Sequence, residues 1–216
     1  MEFDGKLVVI SGFSGSGKGT VIRKLRGMTD DHVLSVSMTT RAPRDGEVEG
    51  EDYFYVTDER FEEEIKREGF LEYAGYVNHY YGTPRAYVEE KRRGGFNVLL
   101  EIEVQGAVQI RNKIPDSMLI FLITPSAAEL ERRLSGRESE SPEVVTKRLK
   151  QALEEAKYIP DYDYMLINED VTASAMTLDR LIRYAPDDCR PDAAFVNRFV
   201  KDLEKIIEAR EAGKLS

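Results

Sequence analysis

The sequence predicts an open α/β fold: a parallel sheet core flanked by helices, with a small mixed α/β lobe inserted into it and a helical lid. Three observations predict it. Short continuous runs of Val, Ile and Leu recur along the chain, as strands covered on both faces require. Helix-start and helix-stop signals fall between those runs. The block Thr39–Tyr81 differs in texture, being rich in Gly, Asp, Glu and Tyr. We take 1–216 as a single domain, with core at 1–36, 96–125 and 151–216, the inserted lobe at 37–95 and the lid at 126–150.

In chain order, Lys6–Ser11 reads as the first strand, followed by a Gly-rich turn and a helical Val21–Arg26. Val33–Ser37 is the second strand. Short alternating pieces such as Tyr53-Phe54-Tyr55-Val56 build the lobe. Thr83-Pro84 starts a helix over Ala86–Arg93 that Gly94-Gly95 stops. Asn97–Ile102 and Ser117–Thr124 are strands. Ser126 and Glu129 have capping-box spacing ahead of Leu130 and Leu134. Ser141-Pro142 opens a further helix, on which Val145, Leu149, Leu153 and Ala156 recur at mostly four-residue steps. Tyr164–Asn168 is the last strand. The final helix, about Asp192–Ala212, puts Phe195, Phe199, Leu203 and Ile206 on one face.

The 216 residues carry 31 Lys+Arg against 40 Asp+Glu, a net charge of -9, which argues against binding nucleic acid polymers. No apolar stretch approaches the roughly 18–20 residues of a membrane span. The N-terminus lacks the basic-then-apolar order of a signal peptide, so a cytoplasmic protein is expected. One cysteine, Cys189, excludes an internal disulfide and a Cys-rich zinc site, and two histidines make a His-built metal site a poor expectation. His32 and His79 have no evident catalytic partner and read as loop residues. Cys189 lies in a connector before the last helix.

The strongest chemical signal is Ser11-Gly12-Phe13-Ser14-Gly15-Ser16-Gly17-Lys18-Gly19-Thr20. Gly12, four residues, Gly17 and Lys18 follow the phosphate-loop pattern, after a strand and before a helix. Its glycines let backbone N–H groups curl round a phosphate, the helix adds its positive end, and Lys18 adds a charge towards the β/γ-phosphates. The core is therefore expected to be of the P-loop NTPase type. Gly19 stands where a Mg²⁺-binding Ser or Thr is commoner, and Thr20 follows it. Arg41 and Arg44 flank Pro43 and, with the hydroxyls of Tyr53 and Tyr81, can clamp a monophosphate. A solvated basic turn pairing with Glu47 or Glu49 is the alternative.

From Ser37-Met38-Thr39-Thr40-Arg41-Ala42-Pro43-Arg44 to Gly50-Glu51-Asp52-Tyr53, the sequence resembles guanylate kinases. The likeness continues through Phe70-Leu71-Glu72, Tyr80-Tyr81-Gly82-Thr83 and Leu100-Glu101-Ile102-Glu103-Val104-Gln105-Gly106. It then takes in Arg133–Arg137, Lys147-Arg148-Leu149 and Ile167-Asn168. The resemblance implies ATP-dependent phosphorylation of GMP, and of dGMP, with Mg²⁺ accompanying ATP. It makes 37–95 a GMP-binding lobe, and Gly12–Thr20 with Asn168 the ATP side.

It places the GMP phosphate against Arg41, Arg44, Tyr53 and Tyr81, and the guanine against Glu72, Ser37 and Thr83. An ionised carboxylate accepts both donors of guanine's Watson–Crick edge, N1–H and the N2 amino group, whereas adenine offers one donor and one acceptor. Thr83 could instead serve as a helix cap. Glu101 and Glu103 alternate at the end of the central strand, so they are expected on one face. The resemblance sets them near GMP and the metal-associated phosphates, Glu101 organising Mg²⁺ through water and Glu103 standing where Asp is usual. Arg133, Arg137 and Arg148 become lid arginines that neutralise the transferring phosphoryl group together with Lys18 and Arg41. Glu138 stands where relatives have Gly.

Two other readings stay open on the residues: a non-catalytic peptide-binding scaffold of the same fold, and a P-loop kinase of another phosphorylated acceptor such as a ribose phosphate. The oligomeric state is not written in the sequence.

Overall fold

The computed structural model describes residues 5–76, 78–136 and 141–213, with backbone alone for Tyr76. The chain divides into two compact units, one of Met1–Val9 with Thr29–Met118, the other of Ile10–Met28 with Leu119–Ser216. The strands form a five-stranded and a four-stranded sheet, ordered β2-β7-β1-β8-β9 and β4-β3-β6-β5. Strand β1 is Leu7–Gly12, all six residues buried.

In the first unit β2 (His32–Leu34) runs parallel to β7 (Asn97–Glu101) in register His32 to Asn97. The smaller sheet consists of β3 (Ser37–Thr39), β4 (Tyr53–Tyr55), β5 (Phe70–Tyr76) and β6 (His79–Pro84). Here β3 is parallel to β4 and antiparallel to β6, and β6 is antiparallel to β5. Helix α2 (Asp58–Lys66) is capped by Thr57, whose side chain accepts from the Arg60 N–H, and it buries Phe61. The Phe61 ring stacks on Phe70 at 4.4 Å and on Tyr80 at 5.3 Å, forming the aromatic core of this sheet. Helices α3 (Arg85–Arg93) and α4 (Val104–Lys113) complete the unit.

In the second unit α1 (Lys18–Arg26) follows β1, and β8 (Met118–Ile123) runs parallel to β9 (Tyr164–Ile167). Helices α5 (Ala127–Ser135), α6 (Pro142–Ala156), α7 (Val171–Tyr184) and α8 (Ala193–Glu211) pack with them. Phe13 sits in this core, edge-on to Phe121 at 5.0 Å and stacked on Phe199 at 5.5 Å. Among the described residues no helix is long and apolar enough to cross a membrane.

Several expectations are corrected. The run Val33–Ser37 is two strands: β2 ends at Leu34 and β3 begins at Ser37, in different sheets. Val36 resumes the apolar pattern after Ser35, so pattern alone could not show the change of sheet. Strand β7 stops at Glu101, and Glu103 is the residue preceding α4, in extended conformation, so strand alternation does not relate the two acids. The buried face of α8 is Val196, Phe199, Leu203, Ile207 and Arg210; Phe195 and Ile206 are half-buried beside it. On α6, Ala152 is buried and Leu153 is not. His32 is buried at the start of β2, against Asn97, and His79 opens β6, so neither is a loop residue.

Candidate active site

In the second unit the strand–loop–helix order predicted for the phosphate loop is present, β1 leading through Phe13–Gly17 into α1. Gly12 lies so close to β8 that a Cβ there would fall 2.1 Å from the Leu122 carbonyl oxygen. Gly17 precedes α1 in the left-handed region, φ 93°, where glycine is unstrained. The Lys18 ammonium donates to the carbonyls of Gly12 and Phe13, which holds it over the loop. The Phe13 ring is buried and Ser16 is fully buried, so only their backbone can face a phosphate. Ser14, Gly15 and Gly19 are half-buried, while Thr20 is exposed and its hydroxyl accepts a long 3.5 Å bond from Arg23.

Three further predicted residues converge on this loop. The Arg148 guanidinium donates to the Ser14 hydroxyl at 2.7 Å. Arg133 donates to the Ser16 carbonyl at 3.3 Å and to the Asn168 carbonyl at 2.9 Å, and pairs with Glu129 at 2.7 Å. Asn168 is 2% exposed. Its amide NH₂ donates to the Ser16 carbonyl at 2.8 Å, and its amide oxygen accepts from Ser174 at 3.0 Å. Both hydrogen-bonding ends of Asn168 are thus committed to bracing the loop. Arg137 and Glu138 lie outside the described residues.

In the first unit, Glu72 is buried and its Oε1 accepts from the Thr83 hydroxyl at 2.6 Å. A bulge produces this meeting. Phe70 pairs with Pro84 and Tyr73 with Gly82, so Leu71 and Glu72 together oppose Thr83 alone. Pro84 precedes α3 and Thr83 makes no cap, its hydroxyl being spent on Glu72. Met38 pairs with Gly82, which brings the half-buried Ser37 opposite Thr83 on the same face. Burial raises the Glu72 pKa, while the Thr83 hydroxyl and the Lys113 charge pull it down.

Of the two readings of the Arg41–Arg44 turn, the structure shows the pairing with Glu47. Arg41 forms a bidentate pair with Glu47, both bonds 2.9 Å, and donates to the Ala42 carbonyl at 2.7 Å. Glu47 also accepts from the Arg44 backbone N–H at 2.8 Å and from the Tyr55 hydroxyl at 2.7 Å. These donors, Arg41 first, hold the Glu47 carboxyl down to about 2. Arg41 lies 5.3 Å from the Tyr53 ring centroid, and Glu47 and Tyr81 are among the groups that raise its pKa. Tyr53 and Tyr81 meet edge to face at 6.0 Å. Arg41, Tyr53 and Tyr81 therefore come together, while the Arg44 side chain is exposed. Glu101 and Glu103 are both exposed, at the end of β7 and before α4. Among the described residues no group of three or more His, Cys, Asp or Glu could hold a metal ion.

The family model for guanylate kinase matches residues 4–185. The chain belongs to the guanylate kinase family. A guanylate kinase of Lactiplantibacillus plantarum is 47% identical over 184 residues, covering 85% of this chain and 89% of that protein. One of Streptococcus agalactiae is 51% identical over 184 residues, covering 84% of this chain and 88% of that protein. The crystal structure of guanylate kinase from Anaplasma phagocytophilum aligns with a TM-score of 0.66 at 31% identity, covering 100% of this chain and 98% of that one.

As a guanylate kinase the protein phosphorylates GMP at the expense of ATP. The relatives lend no support to a peptide-binding scaffold or to a kinase of a sugar phosphate. Sequence reasoning named Glu47, with Glu49, as a partner for the Arg41–Arg44 turn, but missed that Glu47 also gathers the Arg44 N–H and the Tyr55 hydroxyl. It also missed Tyr55, Glu129 and Ser174. Glu129 has the capping-box spacing, yet only Ser126 caps, accepting from the Glu129 N–H at 3.1 Å. The Glu129 carboxylate goes to Arg132 and Arg133 instead.

Proposed function

We propose that this guanylate kinase selects its acceptor through the buried carboxylate of Glu72, and that the remaining predicted residues divide between the two substrates as follows. Glu72 accepts from N1–H and the N2 amino group of guanine, with the Thr83 hydroxyl fixing its orientation and Ser37 beside it. Arg41, Tyr53 and Tyr81 bind the GMP phosphate, and Arg44 closes over it. Gly12–Thr20 wrap the ATP phosphates with backbone N–H groups, and Lys18 meets the β/γ-phosphates. Arg133, Arg148 and Arg137 supply positive charge to the transferring group, Asn168 supporting the loop. The γ-phosphoryl passes in line to an oxygen of the GMP phosphate, which is already an anionic nucleophile, so no covalent enzyme intermediate or strong base is required.

Mg²⁺ neutralises phosphate charge in such a transfer. The donor set fits an ion carried mainly by the ATP phosphates and water, because Gly19 offers no hydroxyl and Thr20 is turned to Arg23. Glu101, an exposed oxygen donor at a strand end, is suited to its water shell. Residues 37–95 act as the GMP-binding lobe and 126–150 as the lid.

The observation that carries the acceptor assignment is the buried Glu72–Thr83 hydrogen bond. A desolvated carboxylate acceptor rejects a base that cannot donate twice. Coupled ADP release measured with GMP, dGMP, AMP, UMP and CMP tests it. GMP and dGMP should support turnover, since nothing in the Glu72 contact reads the sugar. Comparable turnover with AMP would refute the assignment.

A further inference from the structure

We infer that helix α4 is the positioning device for the base-reading carboxylate: Gly106, Gln109 and Lys113, on one stripe of the helix, seat the β5 bulge and Glu72. The inference rests on the reading of Glu72 given above and adds the residues that set its specificity from behind. The three positions are spaced three and four apart, so they share a helical face.

Each makes a different contact with the same strand segment. Strand β5 is at the edge of its sheet, and its outward backbone groups need partners from elsewhere. Gln109 supplies them as a neighbouring strand would. Its amide oxygen accepts from the Tyr73 N–H at 3.3 Å, and its amide nitrogen donates to the Tyr73 carbonyl at 3.1 Å. Lys113 donates to the Phe70 carbonyl at 3.4 Å. The helix thereby holds both ends of the bulge that contains Glu72. Gly106 faces the carboxylate itself, for a Cβ there would stand 2.9 Å from Glu72 Oε2 and 3.1 Å from Ile102 Cδ1. Thr83 holds the other carboxylate oxygen, so Glu72 is gripped between β6 and the bare backbone of α4.

This arrangement sets local propensity against the site. Glycine is among the residues least favourable to a helix, alanine the most favourable. Gly106 is therefore a poor choice for α4 as a helix and a good one for the carboxylate. An added methyl would press on the tip of a flexible side chain, which can swing aside, and not on backbone. The fold should persist while Glu72 leaves its Thr83 partner.

The test is steady-state ADP release with each substrate varied, together with thermal unfolding, for Gly106→Ala, Gln109→Ala and Glu72→Gln. Gly106→Ala is expected to raise KM for GMP about tenfold, as an overpacked contact of one methyl does, with KM for ATP within about twofold and no fall in Tm. Gln109→Ala should show the same GMP-only signature, about threefold. If Glu72→Gln loses GMP while Gly106→Ala leaves KM for GMP unchanged, α4 does not set the carboxylate and the inference is overturned. Equal rises in both KM values, or a lowered Tm accounting for the loss, would overturn it as well. If Glu72→Gln itself leaves GMP kinetics unchanged, the base-reading assignment fails first. Should Gly106→Ala not fold, Gln109→Ala decides by whether its effect is confined to GMP.

Discussion

Glu47 accepts hydrogen bonds from the Arg41 guanidinium, the Arg44 backbone and the Tyr55 hydroxyl, and so fixes the geometry of the phosphate clamp before any phosphate is considered. A guanidinium has five N–H groups. Arg41 spends two on Glu47 and one on Ala42, which turns its remaining donors in one direction. Glu47→Gln should therefore raise KM for GMP by about tenfold, the worth of one charge-assisted hydrogen bond, with KM for ATP little changed. A fall in kcat alone would point elsewhere. The pH consequence has a definite sign. The Glu47 carboxyl is held at about 2 against an ordinary 4.5, so its pairing stabilises the folded chain fully above pH 4.5. That contribution is lost as pH falls towards 2, and the Gln variant should lack this part of the acid sensitivity. A urea titration across this pH range measures it. Arg41, Tyr53 and Tyr81, which the structure brings together, were singled out in the sequence because a phosphate would need such donors. Glu47 was named only together with Glu49 as a partner for the arginines, and packing alone shows which one all the donors share.

Elements carry the site in two ways, by a strand-to-helix loop and by a bulge. The loop is legible from residues alone, because Gly12, Gly17 and Lys18 are dictated by close backbone approach and charge. Its brace is not. The resemblance sets Asn168, which follows β9, on the same side as the loop, but nothing in the sequence shows that it braces Ser16, 152 positions away along the chain. Asn168→Ala would leave the Ser16 carbonyl with only the longer 3.3 Å bond from Arg133, and would leave the buried Ser174 hydroxyl without its acceptor. A loss of about 1–3 kcal/mol in stability is expected from that unpaired group, together with a rise in KM for ATP but not for GMP. Thermal unfolding and initial-rate kinetics on one preparation check both. The bulge at Leu71–Glu72 was hidden for a different reason. Alternation in Phe70–Tyr76 gives no sign of where two residues oppose one, and the partner strand lies beyond a turn. The sheet change between Leu34 and Ser37 and the cap position of Glu103 were missed likewise, since apolar or acidic character resumes after the break. On α8 the face was misread by about one position, because Phe195 and Ile206 are apolar residues at its margin.

For the whole molecule, a net charge of -9 coexists with a chemistry of anions. Many of its acids are occupied locally, as Glu129 is by Arg132 and Arg133, and Glu131 by Arg210 at 2.8 Å. Of the positive groups assigned to substrates, Lys18 heads α1 and Arg41 and Arg44 follow β3, while Arg133 and Arg148 lie within α5 and α6. An average charge is thus informative about polymers and silent about nucleotides. The single buried acid given to substrate, Glu72, then becomes the most consequential charge in the chain, because desolvation makes its hydrogen bonds selective. The most direct measurement is kcat/KM for GMP and for AMP in the wild type and in Glu72→Gln. The account predicts a loss of about 10²-fold or more with GMP, a narrowed GMP-to-AMP ratio, and KM for ATP within about twofold. An unchanged GMP-to-AMP ratio in a folded Glu72→Gln protein would contradict it.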